Sequence, residues 1–546
     1  MPQLKDAPPR LEGVLLAVYA PFGTDETLSD YPGNTTSVLD HPLVDALRRV
    51  AKAGTHVMAL IDRVGDDTYL LDIPVSDAAT VAVQTRWKQD MRADRTLTGF
   101  LLEAHERYPH AAIVLGMEGH GAGYLPEIDQ RRLGWDAVSQ GHELVWHLSG
   151  TEAAPYRGST LVNDAEFPAL PAGYPSVPAG YPSVPSNHLP MSTYALGRAL
   201  RRAQEQGCPR ISVIHFDNCF NMSTEVLHTV APYADAADGF CNYGFFTAGA
   251  AYADAFQKLA DAGAATSLDL ARWLSEATRD VLAPTGGYPA VGGVVALSRM
   301  KEIANGIDRL SDRLLDILRG STGPAREAAI LMIQGSIQLA QNYDTDAPLE
   351  LDTPDQLTDI CSFAAALARN AGNYPAVVDA ANTLMSLLKG IKSYGAVGVP
   401  AMDPTQTVKW DFSEPTLAMN IFLPDPLRTG QWDWRSSYYS DVNPQPFAAL
   451  QPDGSTKLLP PAQTGVIDFL KETNWVEFLK EYHCDTPFHA FHVGRIPELP
   501  TFDSKYVPPT IKPSNDGPWV CQYPRRPRPL GQIGQAVAAW LKRKGS

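Results

Sequence analysis

Two apolar runs that each end in a reactive side chain constrain this chain most. Ile211-Ser212-Val213-Ile214-His215-Phe216 leads straight into Asp217-Asn218-Cys219, and a helix-like stretch from Met222 to Leu227 follows. Ala111-Ala112-Ile113-Val114-Leu115-Gly116 leads into Glu118-Gly119-His120-Gly121. Near-continuous apolar runs are the pattern of strands buried on both faces, as in a parallel sheet covered by helices. In open α/β sheets, ligands bind beyond the carboxyl ends of the strands, which is where both side chains fall. A helix N-terminus just after Cys219 would favour the thiolate. The glycines around His120 let the backbone come close to a ligand. A Cys and a His distant in sequence, both at strand ends, fit a nucleophile–base pair. The competing reading of Cys219 is a buried, inert thiol.

Two further runs, residues 13–20 and 55–62, have the same strand character, and a fifth strand is expected near Asp238–Tyr243. Helical spacing lies between them at residues 42–53, 97–108 and 191–206, with Ser192 or Thr193 as N-cap. Strand–helix–strand repetition implies right-handed crossovers and a mainly parallel sheet, hence an α/β fold. The 546 residues allow a large core and more than one structural unit. The net charge of −16 argues against general affinity for nucleic acid. No run of 18 apolar residues is present, so no transmembrane segment is expected. The six cysteines form no CxxC pair, which argues against a disulfide framework or a structural zinc site and for a reducing compartment. Leu11 to Ala20 reads as a first strand rather than a signal peptide, so a cytoplasmic location is expected, with export by another route left open.

From Tyr124 to Pro190 the pattern breaks, and Pro171 to Val177 is repeated at Pro178 to Val184. Such composition suits an extended loop: a lid, a segment cut in maturation with Arg157 as scissile site, or a surface insertion. Residues 267–394 carry apolar stripes at helical spacing, such as Ile303, Ile307, Leu310, Leu314 and Leu318. Residues 395–485 are mixed, with a strand expected at Leu417–Leu423 and many aromatics. The expected organisation is a catalytic domain over 1–265 with the inserted loop at about 125–190, a helical then mixed region over 266–485 packed on it, and a Pro-rich basic tail over 486–546.

With these residues in place, the chain resembles the clostripain-like cysteine peptidases, relatives of caspases, gingipains and legumain. Val57-Met58-Ala59-Leu60-Ile61-Asp62-Arg63 is similar to the family's second strand, and His120-Gly121-Ala122-Gly123-Tyr124 to its His-Gly-Ser-Gly-Trp pattern. Phe216-Asp217-Asn218-Cys219-Phe220-Asn221-Met222 is similar to the Cys motif. Met419-Asn420-Ile421-Phe422-Leu423-Pro424 and Trp475-Val476-Glu477-Phe478-Leu479 resemble C-terminal family segments. The resemblance is close over 13–260 and loose to about 484. It departs in three places. His120 and Cys219 are 99 residues apart, against roughly 50 in caspases. Gly119 stands where an Asp is usual. Gly239-Phe240-Cys241-Asn242-Tyr243 replaces a Ser-Glu-Glu type sequence.

The resemblance implies a caspase-like three-layer α/β/α sandwich and a cysteine endopeptidase. Cys219 would be the nucleophile, His120 the acid–base, and the backbone N–H groups of Gly121 and Cys219 the oxyanion donors. It also implies that Asp217 lines the S1 pocket and pairs with a P1 Arg or Lys. Glu118 is a candidate for the missing second acid. Asp217 and Cys219, two residues apart, share one face of an extended strand end, while the competing role of Asp217 is to cap the following helix. The expected partner is a protein or peptide substrate. No cofactor or metal is expected, since acidic pairs such as Asp66-Asp67 match no calcium loop and calcium enters by family analogy only. The alternative function is a catalytically inactive caspase-like scaffold.

Overall fold

Among the described residues, nine strands form one sheet. In chain order they are β1 (Leu15–Pro21), β2 (His56–Asp62), β3 (Thr68–Ile73), β4 (Ala82–Arg86), β5 (Ile113–Met117), β6 (Ile211–Phe216), β7 (Ala234–Phe240), β8 (Val291–Ala296) and β9 (Lys392–Gly395). They lie side by side in the order β9-β8-β7-β6-β5-β1-β2-β3-β4. The five central strands, β7-β6-β5-β1-β2, are parallel. The flanking pairs are antiparallel on both sides. The computed structural model describes residues 10–24, 26–33, 35–64, 68–86, 89–128, 191–244, 247–283, 289–343, 357–398, 410–423, 439, 447–450, 456–459 and 463–483. The duplicated segment, the basic tail, Asp66-Asp67, and Trp432, Trp434 and Tyr438 lie outside the described residues.

Alternating residues of the central strands go to opposite faces, so one sheet feeds two cores. Leu16, Val18, Val57, Ala59, Val114 and Val213 pack under helices α1 (Pro42–Lys52), α5 (Ala250–Ala262) and α6 (Ser267–Leu282). Leu15, Ala17, Met58, Leu60, Leu115 and Ile214 face the other way. They meet α2 (Asp94–Arg107), α3 (Thr193–Glu205), α4 (Thr224–Val230) and α7 (Met300–Arg319). This is the expected three-layer α/β/α sandwich.

The helical region continues with α8 (Gly323–Leu339), α9 (Ile360–Asn370), α10 (Pro375–Leu388) and, nearer the C-terminus, α11 (Trp475–Tyr482). Their apolar faces belong to the same continuous core as the second face of the sheet. Strands β8 and β9 lie beyond residue 265, so the expected domain boundary falls inside the sheet. The expected strand at 417–423 is shorter, Asn420–Phe422, and pairs with Leu357–Asp359 outside the main sheet.

Candidate active site

β5 and β6 are hydrogen-bonded neighbours, with Gly116 opposite His215 and Met117 opposite Phe216. Their carboxyl ends therefore deliver Glu118 to His120 and Asp217 to Cys219 to one edge of the sheet. Gly119, with φ of +86°, makes the turn that leads from β5 to His120 and lies against Pro21. A side chain at this φ would be strained. Gly121 packs on the Cys219 backbone so closely that a Cβ there would collide with the Cys219 carbonyl and crowd its nitrogen. The His loop and the Cys loop thus meet through backbone.

Cys219 is half-buried. Gly244 N–H donates to its sulfur at 3.3 Å, and the thiol faces the Gly244 carbonyl at 3.6 Å. Burial pushes the Cys219 thiol up to about 11, opposed by N–H groups of Gly244, Gly121 and Cys219 itself. The Asp217 charge adds to the rise. The expectation of helix-dipole activation is corrected. α4 starts at Thr224, five residues beyond Cys219, and the dipole fades within the first turn. What favours the thiolate here is loop amides. Asp217 does not cap that helix either; its carboxylate accepts from Thr247 Oγ1 at 2.7 Å.

Glu118, Asp217, His215 and Asp238 are all buried on the face of the sheet covered by α5. Tyr252 of α5 donates its hydroxyl to Glu118 Oε1 at 2.7 Å. It reaches there across Gly116, where a Cβ would strike the Tyr252 oxygen. His215 Nδ1 and Asp238 Oδ2 are 2.8 Å apart, and the Tyr252 ring stands edge-on to His215 at 5.3 Å. Burial alone would lower His215, but the charge and hydrogen bond of Asp238 lift it to about 9. Burial raises Glu118 well above the usual range, and the Asp217 charge raises it further. Burial also raises Asp217 and Asp238, with His215 opposing in both. Glu118 Oε2, Asp217 Oδ1, Asp238 Oδ1 and His215 Nε2 are buried without a hydrogen-bond partner among the described residues.

A cleft at the His loop is lined by Tyr19, Asp62, Glu118, His120, Asn218 and Asn221 among others. Cys241 is a core residue, as expected, with its sulfur 3.2 Å from the Ala418 carbonyl. No group of three or more His, Cys, Asp or Glu side chains is placed to hold a metal ion among the described residues. Sequence reasoning missed Thr247, Tyr252 and Gly244. Strand alternation, which sets His215 on the same face as Asp217, was the one sequence signal of a polar layer there.

No protein-family model and no curated protein matches the chain. Among solved structures, it is similar to an inactive zymogen C11 protease from Parabacteroides distasonis, at 16% identity and a TM-score of 0.47. That alignment covers 76% of this chain and 93% of the other. It is also similar to a secreted C11 cysteine protease from Bacteroides thetaiotaomicron in complex with an irreversible peptide inhibitor. There the identity is 14% and the TM-score 0.48, over 79% of this chain and 97% of the other. At these values the likeness bears on no residue's role.

Proposed function

We propose that the chain is a cysteine endopeptidase of the clostripain-like kind. The observation that carries this reading is the meeting of the His and Cys loops through backbone, Gly121 packed on the Cys219 carbonyl and nitrogen, beside a Cys219 sulfur that accepts from Gly244 N–H at 3.3 Å. Cys219 Sγ attacks the peptide carbonyl carbon, and the oxyanion accepts hydrogen bonds from Gly121 and Cys219 N–H. Each such donor is worth about 3 kcal/mol of barrier. His120 takes the Cys219 thiol proton as the S–C bond forms and gives it to the leaving amine nitrogen as the C–N bond breaks; it then takes a proton from the water that hydrolyses the thioester and returns it to the departing sulfur. The step needs only these groups.

Asp217 and Glu118, side by side on neighbouring strands, form the acidic floor of the proposed S1 pocket. A buried carboxylate favours the guanidinium fork of Arg over Lys. A P1 cation would bring the charge that draws the protons off this pair. One observation favours the scaffold alternative: the thiol faces the Gly244 carbonyl at 3.6 Å and burial pushes it up to about 11.

A fluorogenic peptide panel varied at P1 tests both readings. Cleavage after Arg or Lys is expected, falling by at least about 10³-fold in Cys219→Ala and in His120→Ala. Asp217→Asn is expected to lower kcat/KM for Arg substrates by about 10²-fold or more through loss of the charged pair. Cysteine-dependent cleavage after an uncharged residue would remove the S1 assignment. No cleavage at all would favour the scaffold.

A further inference from the structure

The segment around Asn420 resembles a family motif, yet the chemistry above leaves it without a task. In the fold it lies under the Cys loop. Asn420 N–H donates to the Met222 carbonyl at 3.0 Å, and Thr224 Oγ1 donates to the Asn420 carbonyl at 3.1 Å. The buried side-chain amide uses both of its hydrogens. One goes to the Phe220 carbonyl at 2.7 Å and the other to the Cys241 carbonyl at 2.8 Å. Gly123 of the His loop closes the third side, where a Cβ would lie 3.5 Å from Asn420 Oδ1.

The two carbonyls matter because of where they sit. Phe220 follows Cys219 directly and has φ of +61°, in the left-handed region that side chains avoid. Such a conformer persists only when its surroundings hold it. Cys241 opens the segment that carries Gly244 to the Cys219 sulfur. Phe220 N–H in turn donates to the Asn242 carbonyl at 2.8 Å, which links the two segments. A hydroxyl or an aliphatic side chain could not supply two donors in one plane; an amide can.

We propose that Asn420 is a positioning residue: its amide holds the Phe220 and Cys241 carbonyls together, fixing the Cys219 backbone and the Gly244 amide in the arrangement used for nucleophilic attack. It touches no reacting atom and acts through the Cys loop. Its effect on turnover rests on the peptidase reading; its effect on the thiol does not.

The test uses the full chain and three variants. Asn420→Ala removes both donors, Asn420→Ser keeps one, and Thr224→Val loosens the same segment without touching the amide. The backbone bond from Asn420 to Met222 is available in all three, so the segment has the means to stay docked. With a peptide that the wild type cleaves, Asn420→Ala is expected to lower kcat by about 10²-fold with KM within about twofold. Asn420→Ser should fall between, and Thr224→Val should lower Tm but keep kcat. Independently, the pH midpoint for iodoacetamide alkylation of Cys219, read by mass spectrometry, should rise in Asn420→Ala by about half a unit or more as the amide donors are lost. That readout works even if no peptide is cleaved, which would sink the peptidase reading alone. Unchanged kcat and an unchanged or lower alkylation midpoint in Asn420→Ala would overturn the proposal. So would equal losses of kcat in Asn420→Ala and Thr224→Val, or failure of both Asn420 variants to fold.

Discussion

Four buried ionisable side chains, Glu118, Asp217, His215 and Asp238, stand on or just past three neighbouring strands on the face covered by α5, with one hydroxyl donor each for Glu118 and Asp217. An isolated carboxylate in such a place stays protonated to higher pH. Glu118 is raised well above its ordinary value, first by burial and then by Asp217. The sign of the linkage follows. The folded state holds the Glu118 proton more tightly than the unfolded state, so this stability is full below the unfolded carboxylate pKa and is lost as pH rises through the folded one. His215, lifted to about 9, works in the same sense, its contribution falling away as pH passes that value. Glu118→Gln keeps an acceptor for Tyr252 and removes the titration. Its Tm is expected to match the wild type near pH 4 and exceed it near pH 8 by roughly 2–4 °C. A constant offset across that range, read by calorimetry, would show that Glu118 does not carry the effect. That Cys219, His120, Asp217 and Glu118 stand just past strand ends was legible because each follows an apolar run. Their supports were not. Thr247 and Tyr252 reach them from 30 and 134 residues away, and local pattern holds no such contact.

At the scale of elements, four of the five parallel strands were legible because burial on both faces writes a continuous apolar run; the fifth, expected near Asp238–Tyr243, is Ala234–Phe240, where two Asp and a Gly interrupt that pattern. The four flanking strands were not. β4 is exposed along most of its length and carries no apolar pattern. β8, Val291-Gly292-Gly293-Val294-Val295-Ala296, carries two glycines of the kind that weaken a strand reading. Those glycines make room: a Cβ at Gly292 would meet the Tyr394 ring of β9, and one at Gly293 the Met222 side chain. Gly116 does the same for helix α5, opening β5 to the Tyr252 hydroxyl. Gly116→Ala must displace a buried, hydrogen-bonded ring, and is expected to destabilise by about 1–3 kcal/mol. Tyr252→Phe loses the hydroxyl alone and should cost about 1 kcal/mol. In Gly116→Ala/Tyr252→Phe the two losses should not add, because the smaller ring relieves the clash. Additive losses in a denaturant titration would refute this account of how α5 seats on the sheet.

Across the whole molecule, the chain leaves the sheet after β5 and re-enters it at β6, and these two strands are direct neighbours. The two ends of the excursion are tied to each other. Leu125 N–H donates to Thr193 Oγ1 at 3.0 Å, and Thr193 N–H donates back to the Leu125 carbonyl at 3.0 Å. Arg198 of α3 bridges Asp94 of α2 and Glu127 at the exit of the segment, with N–O distances of 2.5 Å to each. Glu127–Ile128 also pairs with Gln463–Gly465 from the far end of the described chain. A cut within 129–190 therefore breaks no strand pairing among the described residues and leaves each fragment half of a shared core. Since β5 lies in one fragment and β6 in the other, neither can bury its apolar face alone. Limited trypsin digestion that cleaves at or near Arg157 is expected to give two fragments that co-elute at the volume of the intact chain, with Tm lowered by no more than roughly 2–4 °C. The same nicked protein serves the maturation reading: a rise in peptide cleavage on nicking would mark the segment as a brake, and unchanged cleavage would mark it as a surface insertion. Separation of the fragments without denaturant would instead mean that the covalent link between β5 and β6, rather than their pairing, holds the two halves of the sheet together.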